Sequence, residues 1–268
     1  MFIYGTAWKE DKTQACVEAA LAAGFRAIDT ANQRKHYYEA GVGAALNKVF
    51  SESRLKREDL FLQTKFTFLR GQDERLPYDP KAPLPEQVKQ SFTSSLEHLG
   101  TDFLDSYILH SPSGSRGLVQ DDWQVWGAME KLHQEGKAKN LGISNVNLEQ
   151  LASLYEKSRV KPSYVQNRCY ASKGWDKAVR TYCLKNQIAY QGFSLLTANQ
   201  EIFKEPKFLD LLKRVGCTAA QAIFKFSFES GMLPLTGTTD PAHMREDLKS
   251  SKVDLSTSDI QLIEELLT

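Results

Sequence analysis

The sequence predicts an α/β fold of the (β/α)8 TIM-barrel type. Short apolar runs alternate with amphipathic segments along the whole chain, and eight such pairs can be assigned. Alternating strands and helices favour a parallel sheet with helices packed outside it, and eight units favour a closed barrel over an open sheet. The length of 268 residues suits one barrel, so we expect a single domain over residues 1–268.

The first half of the chain contains four of these strand–helix units. In each unit, an apolar run is followed by a segment whose apolar residues have helical spacing. A stretch at 68–85, rich in proline, glycine and charge, is predicted to be a long surface loop. The predicted strands and their helices are 2–5 with 13–23, 25–28 with 39–49, 60–64 with 84–99, and 103–109 with 123–134.

The second half continues the alternation and ends on a helix. Asn147, with Glu149 in the following turn, is a helix N-cap signal, and Ser256 is the expected cap of the last helix. The strand at 188–192 is followed by two helices. The remaining predictions are strands at 138–143, 164–165 and 232–235, and helices from 147, at 175–185, 206–215 and 218–230, near 241 and after 256.

Composition and charge argue against several classes of protein. A net charge of +1 gives no electrostatic case for binding nucleic acid. The chain has no apolar run of the roughly 20 residues that a membrane span needs. Its four cysteines lie far apart, with no CxxC pair and no spacing typical of a metal site. We therefore expect a cytoplasmic protein with reduced thiols, no metal, and no nucleic-acid or membrane partner.

Polar residues follow the apolar runs at the points where the strands are predicted to end. Taken singly, Asp29 fits a helix cap, Lys65 a solvated loop lysine and His110 an ordinary loop histidine. In a (β/α)8 barrel, however, the carboxyl ends of the strands meet on one rim, where the chemistry is located. The residues that the fold would gather there are Asp29, Lys65, His110, Ser144, Asn145, Gln166 and Thr236.

Such a rim suits the delivery of a proton to a carbonyl group. A tyrosine has an unperturbed pKa of about 10, which is high for a proton donor at neutral pH. A buried lysine beside it would favour the phenolate and lower that pKa, and an aspartate would keep the lysine charged. A histidine in the same cleft could donate a hydrogen bond to an oxygen that is becoming an alkoxide.

Seven short motifs lie at the predicted strand ends. They are Gly5-Thr6-Ala7-Trp8-Lys9, Ile28-Asp29-Thr30-Ala31, Gln63-Thr64-Lys65, Leu109-His110-Ser111-Pro112, Gly142-Ile143-Ser144-Asn145, Gln166-Asn167 and Gly192-Phe193-Ser194-Leu195-Leu196. In this order they resemble the aldo-keto reductase family over nearly the whole chain. The resemblance implies NADPH-dependent reduction of aldehydes or ketones by a tetrad of Asp, Tyr, Lys and His, in which Asp29, Lys65 and His110 take three places.

The tyrosine of the tetrad is harder to place. In the family's common pattern it stands five residues after the aspartate and three before a glutamate, positions that are Arg34 and His36 here. The segment 32–39 therefore resembles a variant with a longer loop, in which a Lys-His-Tyr run supplies the acid. Tyr37 is our prediction for the proton donor and Tyr38 the alternative, and both could instead only pack the loop.

The resemblance also implies a cofactor cleft and a substrate pocket. Ser144, Asn145 and Gln166 would bind the nicotinamide carboxamide, and Phe193 would stack on its ring. Thr6, Ser194 and Leu196 complete the predicted cofactor contacts on this side. The predicted substrate-pocket residues are Trp8, Phe66 and Ser111, although Trp8 could also be an ordinary core aromatic.

The site for the adenosine 2′-phosphate departs from the family's pattern. The family usually has Lys-Ser after a proline and an arginine several residues later. Leu235 follows the proline here and cannot supply the lysine's charge. A helix predicted to begin near Pro241 could still help to bind phosphate, so NADP(H) is the preferred cofactor and NAD(H) a possibility. The predicted residues are Thr236, His243, Arg245, Glu246 and Asp247.

Two further features bear on fold and function. The family usually opens with a β-hairpin below the barrel, whereas this chain begins within the first strand, so we expect a barrel that lacks the hairpin. That departure and the unusual tyrosine spacing leave room for a cofactor-binding regulatory or scaffold barrel without turnover. A phosphate-binding isomerase or aldolase is disfavoured, because Gly237 is not part of a glycine-rich phosphate-binding loop.

Overall fold

The elements of the fold alternate between strand and helix along the chain. The computed structural model describes residues 1–267. The strands are β1 (Ile3–Gly5), β2 (Ala27–Asp29), β3 (Phe61–Phe66), β4 (Ser106–Leu109), β5 (Leu141–Ser144), β6 (Tyr164–Arg168), β7 (Ala189–Phe193) and β8 (Met232–Thr236). The helices are α1 (Thr13–Ala23), α2 (Glu39–Ser51), α3 (Leu84–Leu99), α4 (Gln120–Gln134), α5 (Leu148–Lys157), α6 (Lys177–Lys185), α7 (Pro206–Val215), α8 (Ala219–Glu229), α9 (Pro241–Lys249) and α10 (Thr257–Glu265).

The eight strands form one closed parallel barrel in the order of the sequence. Each strand pairs with the next, and β8 returns to β1, where Leu235 lies opposite Ile3. Helices connect the strands on the outside, as parallel pairing requires. The predicted (β/α)8 class is therefore confirmed.

Several predicted boundaries differ from the structure by a few residues, and two of them have a clear local reason. The strand predicted at 103–109 begins at Ser106, because Leu104 makes only an isolated bridge to Ala138. The helix predicted from Trp175 begins at Lys177, because Trp175 and Asp176 have φ values of 55° and 56°. A left-handed backbone cannot continue a right-handed helix.

The barrel has an apolar exterior and an interior that is polar towards the carboxyl ends of the strands. Strand side chains alternate between the two faces, so on β3 Leu62 packs towards the helices while Gln63 and Lys65 point inwards. All three are at most 1% exposed. The main apolar core therefore forms a ring between strands and helices. Inside the barrel, a small apolar cluster of Ile3, Ala27 and Leu235 lies one layer from the hydrogen-bonding groups at Gln63 and Lys65.

Within residues 1–267, no helix combines the length and the apolar character needed to cross a bilayer. In the same part of the chain, no three His, Cys, Asp or Glu side chains group so as to hold a metal ion.

Candidate active site

The carboxyl ends of the strands surround a cavity of about 800 Å³, which we call the main cavity. This is the end of a (β/α)8 barrel at which enzymes carry out their chemistry. The cavity gathers residues from distant parts of the chain. Its lining includes these sequence-predicted residues: Trp8, Asp29, Tyr37, His110, Ser144, Asn145, Gln166, Phe193, Ser194, Leu196, Thr236, His243, Glu246 and Asp247.

A buried ion pair lies at the base of the main cavity. Lys65 Nζ is 2.7 Å from each carboxylate oxygen of Asp29 and 2.7 Å from the carbonyl oxygen of Thr30. Lys65 is 0% exposed and Asp29 2%. Burial lowers the pKa of Lys65, and the Asp29 charge acts in the opposite direction. The pair therefore depends on its mutual contact for stability, as buried charges do.

Three glutamines, on β3, β6 and β7, form a hydrogen-bonded network beside this carboxylate. We call Gln63, Gln166 and Gln191 the amide belt. Asp29 Oδ1 accepts from Gln63 Nε2 at 2.6 Å and from Gln166 Nε2 at 2.9 Å. Gln191 Oε1 accepts from both of the other amides at 2.9 Å. The belt fixes the position of the carboxylate, and these bonds use only the nitrogen of the Gln166 amide.

Tyr37 lies directly above the ion pair. The centre of its ring is 5.1 Å from Lys65 Nζ and 5.9 Å from the centre of the His110 ring. Burial raises the pKa of the Tyr37 phenol, and the Asp29 charge raises it further. This direction is opposite to our expectation that Lys65 would lower the pKa. Because Asp29 neutralises Lys65 at close range, desolvation dominates and the phenol keeps its proton at neutral pH.

His110 is held by a residue that sequence reasoning missed. Its Nδ1 is 2.7 Å from the hydroxyl oxygen of Thr67, which directly follows β3. Burial lowers the pKa of His110 well below its usual range, and Lys65 contributes, so the imidazole is neutral. The signal available in the sequence was spacing, because Thr67 is two residues beyond Lys65 and so faces the same side of the strand.

The other candidate residues around Tyr37 face elsewhere. Tyr38 lies outside the main cavity, with the guanidinium of Arg34 4.4 Å from its ring centre. His36 places Nδ1 2.9 Å from the amide oxygen of Gln33, and its ring centre is 3.9 Å from that of Trp8. Of the two tyrosines, only Tyr37 lines the main cavity.

A smaller cavity of about 390 Å³ opens beside the main one, and we call it the side cavity. Trp8 lies on its wall and is 71% exposed, which contradicts the alternative of a core aromatic. The two cavities share Trp8, Tyr37, His110 and Asn145. The remaining lining of the side cavity is Gln33, His36, Thr67, Phe68, Arg70, Gly71 and Ser111.

Four predicted site residues line neither cavity, and one of them is Lys65, which is fully buried against Asp29. Phe66 is 0% exposed and packs against Phe68 and Tyr78, because strand alternation turns it away from Lys65. The Thr6 side chain is buried and donates to the Asp29 carbonyl oxygen, so only its neighbours in the chain line the main cavity. Arg245 is exposed on another face of α9.

The far end of the main cavity is acidic and contains one unforeseen lysine. Thr236 donates to Asp247 Oδ2 at 2.8 Å, and burial raises the pKa of Asp247 to about 6. Lys9, which we had not assigned to the site, is 5% exposed and donates to the Gly237 carbonyl oxygen at 2.8 Å. Burial lowers the pKa of Lys9 to about 8. Lys9 therefore supplies positive charge near Leu235, where the sequence lacks the expected lysine.

The raised pKa of Asp247 predicts a stability effect. As pH rises from 3.8, the ordinary value, to about 6, the folded chain retains a proton that the unfolded chain releases. Stability is therefore lost as pH rises through this window. We expect Asp247→Asn to raise the free energy of unfolding at neutral pH by about 1 kcal/mol, measured by urea unfolding. Glu246→Gln is the control, and a less stable Asp247→Asn protein would contradict the prediction.

Backbone strain is found around the main cavity. Trp8, Asn145 and Ser194 have φ values of 61°, 56° and 56°, and all three line the cavity. A left-handed conformation is unfavourable for residues with a Cβ and occurs often at functional sites. These residues turn the chain sharply after β1, β5 and β7, which brings the loops to the mouth of the barrel.

Comparisons with known proteins agree with this geometry. The model of the aldo/keto reductase family matches residues 3–268. The chain is 27% identical over 250 residues to the uncharacterized oxidoreductase YtbE of Bacillus subtilis, covering 93% of this chain and 82% of that protein. It is 28% identical to aldo-keto reductase family 4 member C11 of Arabidopsis thaliana, over 86% of this chain and 74% of the relative.

Solved structures share the whole fold. The crystal structure of an aldo/keto reductase from Brucella melitensis matches with a TM-score of 0.82 and 29% identity, covering 99% of this chain and 94% of the other. A Bombyx mori aldo-keto reductase, crystallised in complex with NADP, matches with a TM-score of 0.82 over 98% of this chain and 88% of its own. At 21% identity, the second likeness shows the fold alone.

Proposed function

This chain belongs to the aldo/keto reductase family and is an oxidoreductase acting on carbonyl compounds, and we propose that it reduces aldehydes or ketones to alcohols, with Tyr37 as the proton donor. The observation that carries the proposal is the convergence of four side chains. Tyr37 and His110 line both the main and the side cavity, and Lys65, bound to Asp29, lies against the Tyr37 ring. The carbonyl group would lie above Tyr37 and His110.

The main cavity fits a nicotinamide cofactor. Phe193 offers an aromatic face on its wall, and Ser144, Asn145 and Gln166 offer polar atoms nearby. The volume of about 800 Å³ is within the range of cofactor and ligand sites. The Bombyx mori relative crystallised with NADP and the charge of Lys9 support NADP(H), although Glu246 and Asp247 at the far end leave NAD(H) as an alternative. When bound, the cofactor would supply the hydride.

The chain's own residues would manage the proton. Tyr37 would hold it at the phenol oxygen until charge develops on the carbonyl oxygen, and then donate it. Lys65 would stabilise the phenolate that remains, while Asp29 keeps the ammonium group in place. Neutral His110 would donate a hydrogen bond from Nε2 to the same carbonyl oxygen and so orient it. For Nε2 to donate, Nδ1 must accept the hydrogen bond from Thr67.

The test of this proposal is cofactor oxidation by the purified protein. NADPH, with NADH in parallel, is mixed with a panel of aromatic and aliphatic aldehydes, and the loss of reduced cofactor is followed by absorbance. We expect oxidation that depends on the aldehyde. Tight binding of NADPH without turnover of any aldehyde or ketone would overturn the proposal and favour a regulatory barrel.

The contact between Thr67 and His110 predicts a positioning effect. Thr67→Val keeps the shape of the side chain and removes the hydroxyl, which leaves Nδ1 without its donor. We expect kcat to fall about tenfold, which corresponds to one hydrogen bond of roughly 1.4 kcal/mol, while Thr67→Ser retains activity. Nitrogen NMR of His110 should show a change of tautomer in Thr67→Val only. An unchanged kcat and tautomer would show that the contact is merely structural.

A further inference from the structure

The side cavity contains one charged wall residue, Arg70, whose charge is not neutralised. Arg70 donates from Nη1 to the carbonyl oxygen of Ser113 at 2.6 Å and from Nη2 to that of Pro112. Both acceptors are neutral. Among the ion pairs within residues 1–267, none includes Arg70, whereas nearby Arg34 pairs with Glu10 and Arg75 with Asp73. Arg70 therefore keeps a full positive charge at the cavity.

The rest of the side cavity adds no negative charge. Its described lining contains no aspartate or glutamate. His36 is neutral at physiological pH, because burial and the Lys35 charge lower the pKa of its imidazole more than the Asp73 and Glu10 charges raise it. Those two carboxylates lie outside the lining and are paired with Arg75 and Arg34. A ligand in this cavity therefore meets a positive potential from Arg70.

The guanidinium group also has donors to spare. An arginine carries five N–H groups in a planar fork that matches the two oxygens of a carboxylate. The bonds to Ser113 and Pro112 use two of them. Since Arg70 is exposed and lines the cavity, the remaining donors are accessible to a bound molecule.

We propose that Arg70 recognises an anionic group on the substrate, and that the preferred substrates are small aldehydes or ketones carrying a carboxylate. This rests on the proposed function, which places the carbonyl group against Tyr37 and His110. Both residues line the same cavity as Arg70. A cavity of about 390 Å³ is near the lower limit for ligand sites, so the carbonyl and the carboxylate belong to one small molecule.

A purely structural role for Arg70 makes a different prediction. The two carbonyl oxygens that it binds belong to the loop after β4, so the side chain also tethers that loop. Removing a tether would impair every substrate to the same degree. Removing an anion-binding group would impair charged substrates more than neutral ones.

The experiment compares para-carboxybenzaldehyde with the methyl ester of the same aldehyde, which has a similar shape and no charge. The quantity of interest is the ratio of kcat/KM for the acid to kcat/KM for the ester. Dividing the variant's ratio by that of the wild type cancels the different intrinsic reactivities of the two carbonyls. Arg70→Gln retains N–H donors without charge, Arg70→Lys retains the charge, and Arg75→Met removes a charge from the same loop outside the cavity.

We expect the ratio to fall about tenfold in Arg70→Gln, as for the loss of one charge-assisted hydrogen bond. The ratio should fall less in Arg70→Lys, and in Arg75→Met it should equal the wild-type ratio. In the wild type, KM for the acid should rise with salt, because screening weakens the attraction. Equal losses for acid and ester in Arg70→Gln would overturn the inference and leave Arg70 as a tether.

A binding measurement separates this inference from the proposed function. If the wild type reduces the ester but Arg70→Gln leaves the ratio unchanged, the inference fails and the reductase function stands. If neither aldehyde is reduced, binding of benzoate and of benzamide to the cofactor-loaded protein is measured by calorimetry. Tighter binding of benzoate that is lost in Arg70→Gln would support the anion site, and equal binding of the two would overturn it.

Discussion

Replacing Tyr37 by phenylalanine should abolish most carbonyl reduction and leave cofactor binding intact. The ring centre of Tyr37 is 5.1 Å from Lys65 Nζ, and desolvation raises the pKa of the phenol so that it carries a proton at neutral pH. General acid catalysis by a positioned side chain contributes about 10²- to 10⁴-fold, so kcat should fall within that range. Cofactor affinity is measured by fluorescence titration of the same variant.

Tyr38→Phe is the matched control for that experiment. Tyr38 precedes α2 and contacts Arg34, and it lies outside the main cavity. The Tyr38→Phe variant should therefore retain wild-type turnover. If Tyr38→Phe loses activity while Tyr37→Phe keeps it, the assignment of the proton donor is wrong. If both variants keep it, neither tyrosine is the donor.

Replacing Lys65 by methionine should both inactivate and destabilise the protein. The substitution leaves the Asp29 carboxylate buried with only the amide belt to bind it. Breaking a buried ion pair by removing one partner costs about 3–5 kcal/mol. We expect a loss of that size in the free energy of unfolding, measured in urea, together with loss of turnover.

A second substitution, at Asp29, identifies the cause of the lost stability. Lys65→Met combined with Asp29→Asn removes both charges and should recover part of the lost stability, because no unpaired charge is then buried. Lys48→Met breaks an exposed pair with Glu18, and such pairs contribute less than about 1 kcal/mol. A Lys65→Met protein no less stable than Lys48→Met would contradict the prediction.

Local signals in the sequence predicted much of the fold. The bounds of α1, α3 and α7 follow the predictions, and each of these helices ends at a glycine with positive φ. Such helix ends can be predicted from the sequence, because glycine alone adopts that conformation at little cost. The starts of β4 and α6 could not be predicted, since they depend on bridges and backbone angles that no residue type dictates.

The candidate site was predictable where it follows from strand ends. Asp29, Lys65 and His110 come directly from the positions at which β2, β3 and β4 finish. The place of Lys9 and the role that we propose for Arg70 were missed, because both depend on loops that are brought together only by the fold. Lys9 binds a carbonyl oxygen 228 positions away in the sequence, a contact that no local pattern could indicate.

The amide belt links the durability of this barrel to its chemistry. Gln63 and Gln166 donate to Asp29, and Gln191 accepts from both of them, so the environment of the reacting groups needs little reorganisation when a substrate arrives. Replacing these amides with leucines would aim at a more stable core, but it would remove the oriented amide groups around Asp29. The barrel's centre is therefore a place where resistance to heat and speed of reaction would have to be traded against each other.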